Sequence, residues 1–162
     1  MNRRPADAER TPQARLAEGP LRELVGYQLA QAAIVTDRVF DEQATARSGI
    51  RRVEYTILAL VQGNPDVTAR QLARALAVTP PNIAVWLERM EAQGWVQRTR
   101  SERDARVMHI RLTRSGQALV EGTTRQLAAA EAAVLAPVLS AAERAMLLEL
   151  LHRLALARRG GD

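Results

Sequence analysis

Residues 68–114 constrain the fold more than any other stretch of the chain. Thr68 opens a short helical pattern, Ala69 to Ala77, with Gln71 three residues on, the spacing at which Thr and Gln cap a helix start reciprocally. Val78 and Thr79 interrupt that helix, and Thr79-Pro80 starts another, a cap former followed by the imino acid that suits a first helical turn. This second helix is predicted to run to Gln93, where Gly94 stops it. Beyond Gly94 the apolar period changes from helical to two. Trp95 to Arg98 reads as a short strand, and Thr99 to Arg106 as a polar, Arg-rich loop. Val107 to Leu112 reads as a half-buried strand, with Met108, Ile110 and Leu112 alternating against Val107, His109 and Arg111.

Long helical patterns flank this core. From Pro20, Leu21, Leu24, Val25, Leu29, Val35 and Phe40 recur at three- and four-residue steps, predicting one helix to about Arg47, ended by Ser48-Gly49. A helix that long in a small domain is expected to lay part of its apolar stripe against another subunit. Ile50 to Gln62 forms the next helix, closed by the Gly63-Asn64-Pro65-Asp66 turn. After the hairpin, Thr113 caps a helix from Arg114 to Ala136, and Pro137 interrupts it. Ser140 and Glu143 make a second capping box for a Leu-rich helix from Ala141 to about Arg158. The predicted fold class is mainly α, an α+β winged helix-turn-helix with long flanking helices. It divides into a flexible tail (1–18), a long first helix (19–49), the winged helix-turn-helix (50–113) and C-terminal helices (114–162).

Composition narrows the chemistry. With 162 residues and 47% hydrophobic content the chain can bury a core, and at 3% aromatic that core must be largely aliphatic. The formal charge is +5, and all 23 basic side chains are Arg. Each is a planar fork suited to phosphate and guanine edges. A basic balance alone fits RNA, DNA or an anionic membrane, so position must decide. The absence of Cys excludes disulfides, thiolate catalysis, Cys-ligated zinc and thiol redox switching. Only His109 and His152 remain as histidines, so neither a metal site nor another cofactor is expected. The N-terminal residues lack an apolar core, and no run reaches the roughly 18 apolar residues of a membrane span, so a cytoplasmic protein is expected.

In a helix-turn-helix the second helix enters the major groove and its first residues meet base edges. Here that recognition helix spans 80–93. Ile83, Leu87 and Met90, with Trp86 beside them, are predicted to face the core, leaving Thr79, Pro81, Asn82 and Val85 outward. Asn82 suits adenine, and Pro81 or Val85 a thymine methyl. Thr79 and the free N–H groups of the first turn suit a phosphate. Equally, Thr79 and Asn82 are the residue types that simply cap a helix. The wing, 99–107, brings the sharper signal. Arg98, Arg100, Arg103, Arg106, Arg111 and Arg114 stand against only Glu102 and Asp104. Beside a recognition helix, an Arg-tipped hairpin is placed for the adjacent minor groove.

The run TARQLARALAVTPPNIAVWLERMEAQGWVQR, followed by SERDARVMHIRLTRSG, resembles the MarR family of transcriptional regulators. Asp104-x-Arg106 in the wing and Leu112-Thr113-x-x-Gly116 carry the resemblance most specifically. It spans about residues 20 to 158. It implies a homodimer, with 19–49 as a dimerisation helix and 114–162 as C-terminal dimerisation helices, on a palindromic double-stranded operator, usually acting as a repressor. Arg106 would enter the minor groove and Asp104 would orient it. Relatives often carry Ser and Arg at the positions of Ala84 and Val85, so this recognition helix is poor in basic base readers. The family answers to thiol oxidation or to a small, often aromatic, ligand, and without Cys only the ligand route is open. Tyr27, Gln28, Arg51 and Arg52 are the candidates for holding it, an arginine suiting a carboxylate. As alternatives, Tyr27 would be interface core and the arginines plain surface.

Two other classes compete. An enzyme would need a nucleophile–base pair or paired carboxylates, and His109 on a wing strand and His152 in a Leu-rich helix fit structural roles better. A protein-binding winged helix predicts a neutral or acidic wing, and this wing is basic.

Overall fold

The computed structural model describes residues 10–101, 104 and 106–160, and the chain divides into two units at the Val39–Phe40 junction.

In the N-terminal unit, the described part of the tail, residues 10–18, carries a local turn. Arg10 and Ala17 pair as an antiparallel bridge, and the Thr11 N–H donates to the Leu16 carbonyl at 2.8 Å. The Thr11 hydroxyl holds this turn locally, donating to Gln13 O and accepting from the Leu16 N–H. The long first helix also starts later than its periodicity predicts. Pro20 lies in a separate 3-10 turn, Gly19–Glu23, and Leu24 is extended (φ −88°, ψ 113°), so helix α1 spans Val25–Phe40. The apolar period alone could not detect this break, because a 3-10 turn keeps the same three-residue step. Leu21, Leu24, Val25, Leu29, Ile34 and Val35 are all exposed.

The second unit opens with a π turn, Asp41–Thr45, and a single turn α2, Ala46–Ser48. Gly49 then takes the left-handed conformation (φ 68°) that only Gly adopts freely, and the chain reverses as expected. α3 (Arg52–Gly63), α4 (Ala69–Leu76) and α5 (Pro80–Ala92) follow. The Thr68–Gln71 capping box forms in both directions. Ala77 closes α4 in the left-handed region (φ 53°), which separates α4 from α5 by a tight turn. Strands β1 (Val96–Arg100) and β2 (Met108–Leu112) pair antiparallel, with Val96 opposite Leu112 and Arg100 opposite Met108. The hairpin therefore reaches two residues further on the β1 side than predicted. Met108 is exposed rather than inward, since it pairs at the outer end of the ladder; Ile110 carries the inward burial. α6 (Arg114–Leu135) and α7 (Ala141–Leu156) complete the unit.

The core of this unit is aliphatic, as the composition requires. Ile50, Ile57, Leu58, Leu72, Ile83, Leu87 and Met90 are almost completely buried, so α3, α4 and α5 turn their apolar faces inward. Ile110 and Val96 bring the hairpin onto the same core. α7 is different: every one of its residues is exposed.

Candidate nucleic-acid interface

Helix α5 divides as its sequence predicts. Ile83, Leu87 and Met90 are buried on one face, while Thr79, Pro81, Asn82 and Val85 are exposed on the other. Packing on one side thus leaves a solvent-facing strip on the other, near the helix start. The first turn offers less to an anion than the general rule allows. Pro80 and Pro81 have no N–H, and the N–H groups of Asn82 and Ile83 both donate to the Thr79 carbonyl. The expectation that free backbone N–H groups there hold a phosphate is therefore withdrawn. Thr79 does occupy the N-cap position, yet its hydroxyl caps nothing and stays available.

The hairpin root is tied to the end of α5 and to α6 chiefly through Thr113, with the Ser115 hydroxyl of α6 also donating to Gly94 O at 2.6 Å. Its N–H donates to Trp95 O at 3.0 Å, and its hydroxyl donates to Gly94 O at 2.5 Å while accepting from the Gly116 N–H. Gly94 is left-handed (φ 69°), which turns the chain out of α5 into β1. Gly116 packs so tightly that an added Cβ would lie 1.9 Å from the Trp95 carbonyl oxygen. Leu-Thr-x-x-Gly is, in physical terms, the clamp joining recognition helix, wing and α6.

A third segment secures the hairpin from the other side. The Ile110 N–H donates to Val67 O at 2.8 Å, and Thr68 and His109 form a bridge. Asp66, in the turn after α3, receives both Arg111, as an ion pair to its carboxylate, and His109 Nδ1 at its carbonyl. His109 is thereby a structural residue of the wing, as expected.

The arginines of the wing fall into two sets. Arg98 Nε pairs with Glu91 of α5 at 3.0 Å, and Arg111 pairs with Asp66; these two fix the hairpin to the body. Arg100, Arg106 and Arg114 are exposed and make no ion pair among the described residues. Arg103 lies outside the described residues. The Asp104 carboxylate accepts the Arg106 N–H at 2.9 Å, and the Asp104 carbonyl accepts from Val107. Asp104 thus acts on Arg106 through its backbone, closing a turn from which the guanidinium extends.

The four candidate ligand residues lie in separate units with local partners of their own. Tyr27 donates its phenol to Glu18 at 3.0 Å, and Gln28 donates to the Arg22 carbonyl. Desolvation first, and then the Glu18 carboxylate, push the Tyr27 phenol above its ordinary value. In the second unit Arg51 holds the N-cap position of α3, and Arg52 lies 4.7 Å over the Phe40 ring. That unit also carries a cleft of about 180 Å³ between the π turn with α2 and helix α6, lined by Gln43, Arg47, Ser48, Leu119, Thr123 and Gln126. Sequence reasoning did not find this cleft, because its two walls are some seventy positions apart.

The exposed strip of α5 beside an Arg-bearing hairpin defines a winged helix-turn-helix DNA-binding transcriptional regulator. Residues 48–107 match the family model described as the MarR family. The chain is 29% identical over 133 residues to the HTH-type transcriptional regulator PecS of Dickeya dadantii, covering 80% of this chain and 79% of that protein. It is likewise 29% identical over 120 residues to an HTH-type transcriptional repressor of Mycobacterium tuberculosis, covering 74% and 86%. Among solved structures it resembles the transcriptional repressor CouR bound to a 23-mer DNA duplex, with a TM-score of 0.78 at 28% identity, covering 86% of this chain and 98% of that one. Over residues 48–107 the chain matches the MarR family, and the relatives and solved structures it resembles are transcriptional regulators, not enzymes. No helix among the described residues is long and apolar enough to cross a membrane.

Proposed function

We propose that this regulator is a homodimeric repressor of a palindromic operator, with α5 in the major groove and the 99–107 wing in the minor groove, and that a small acidic, aromatic effector releases it. The observation that carries the DNA part is the pairing of the exposed Thr79, Pro81, Asn82 and Val85 with a wing whose Arg106 is held on a turn closed by Asp104. Arg100, Arg103 and Asp104 complete the wing side of this interface. Repression is supported by the mycobacterial relative and by CouR, both of them transcriptional repressors.

Dimerisation through residues 19–49 and 114–162 is supported by apolar surface that no monomer needs. Met146, Leu147, Leu148, Leu150, Leu151 and Leu154 of α7 are 37–62% exposed, and α1 exposes a similar series. The effector reading is supported by the cleft between α2 and α6, where Arg47 is placed to take a carboxylate. Tyr27, Gln28, Arg51 and Arg52 are proposed as further residues that hold the effector.

The test is a gel shift on the intergenic DNA upstream of the protein's own gene. Arg106→Ala is expected to abolish or greatly weaken the shift while sedimentation still reports the dimer; unchanged affinity refutes the wing assignment. Calorimetry with a panel of aromatic acids, repeated on Arg47→Ala, tests the effector. No heat from any acid, with no loss of DNA binding, refutes it.

A further inference from the structure

We propose that Arg89 is a further DNA-contacting residue of α5, gripping a backbone phosphate, and that the buried carboxylate of Glu54 holds it in place to do so. This rests on the reading of α5 as the DNA-facing helix.

Glu54 is the only charged side chain buried among the described residues, at 0% exposure. A carboxylate does not stay in such a place without compensation. One oxygen, Oε2, accepts the Arg51 N–H at 2.9 Å, which closes the start of α3. The other, Oε1, makes no hydrogen bond, and its neighbour is Arg89 Nε of α5 at 3.0 Å. The Arg89 side chain is 37% exposed, so its charge is buried at one edge and open at the other.

The direction of that open edge follows from helix geometry. Residues 82, 85 and 89 lie three and four apart, so Arg89 shares the exposed face of Asn82 and Val85, about 10 Å along the axis from Asn82. It is the only basic residue of α5. A guanidinium offers two forks, and with Nε turned to Glu54 the end-on fork of Nη1 and Nη2 is left, with no hydrogen bond among the described residues. That fork matches two phosphate oxygens. The need is real, because the first turn of α5, with Pro80 and Pro81, has no free N–H to give a phosphate. Glu54 is a positioning residue: it never approaches DNA, and it fixes the guanidinium plane.

Fluorescence anisotropy on full-length protein tests this. The probes are labelled duplexes of about 30 base pairs, roughly three helical turns, carrying either the upstream intergenic DNA or a scrambled sequence. Affinity is measured as a function of salt. A lost phosphate contact lowers the log-affinity against log-salt slope by about one, and does so for both sequences. For Arg89→Met the expected result is that slope change with roughly tenfold weaker binding on both duplexes. Glu54→Gln keeps the shape of the side chain and the Arg89 charge, and is expected to weaken both duplexes by a smaller factor. In the Arg89→Met background it should have no further effect on binding. The double variant removes both charges and leaves no orphaned carboxylate, so it reports the slope even where Arg89→Met alone unfolds. An unchanged slope in the double variant, with only a lowered melting temperature, overturns the proposal and makes the pair purely architectural. If wild type binds neither duplex, the assignment of α5 to DNA falls with it, a distinguishable failure.

Discussion

At the scale of single residues, the wing is controlled by backbone chemistry as much as by charge. Asp104 does not reach the Arg106 guanidinium; it accepts that residue's N–H and shapes the turn that presents it. Asp104→Ala is therefore expected to weaken operator binding several-fold with little change in the salt slope, because the cation count is unaltered. Anisotropy titrations at several salt concentrations check this. Gly116 is the opposite kind of position, chosen by space alone. An added Cβ would meet the Trp95 carbonyl oxygen at 1.9 Å, so Gly116→Ala must push α6 off the hairpin root. A loss of the order of 3 kcal/mol is expected, as for other severe overpacking, and urea unfolding measures it.

At the scale of elements, capping was the most legible feature and burial the least. The boxes at Thr68–Gln71 and Ser140–Glu143 form as spelled, since each needs only two residues three apart. The second box has a pH signature. Hydrogen bonds from the Ser140 hydroxyl and then its backbone N–H hold the Glu143 carboxyl below the ordinary glutamate value. A lowered value in the folded state means that the cap stabilises α7 above the usual carboxylate range, and that this is lost as pH falls through the folded value. NMR titration should place Glu143 below an unstructured glutamate, and Ser140→Ala, which removes the hydroxyl but keeps the backbone N–H donor, should raise it only part of the way back. In the core, Leu87→Ala is expected to cost about 2–5 kcal/mol, read by the same urea titration, because Leu87 is 1% exposed. Other features were hidden from the sequence for physical reasons. Glu54, in the first turn of α3, reads as an ordinary N-terminal acid, and only the packing of α5 against it reveals a buried ion pair. The pairing of Val67 with Ile110 joins segments far apart in the chain, and no local period reports it. The break at Leu24 escaped because the apolar spacing is the same on either side of it.

At the scale of the whole molecule, the Leu-rich surface of α7 is exposed along the entire helix, and a partner subunit is its proposed cover. The double variant Leu147→Glu, Leu151→Glu is expected to sediment as a folded monomer and to lose operator affinity by two or more orders of magnitude, since the two half-sites then bind independently. A variant that remains dimeric would move the interface elsewhere. The wing, meanwhile, is anchored on both flanks, by Thr113 to Gly94 and Trp95 and by Ile110 to Val67. Recognition helix and wing are accordingly one rigid caliper with a fixed gap between its jaws. Each added base pair advances the duplex by about 3.4 Å and rotates it by roughly a tenth of a turn. A caliper of this kind cannot follow such a step, so on the proposed docking one base pair inserted between the bases assigned to α5 and those assigned to the wing should be as damaging as erasing a contact. On that docking, an operator for this protein is defined by internal spacing as strictly as by its letters.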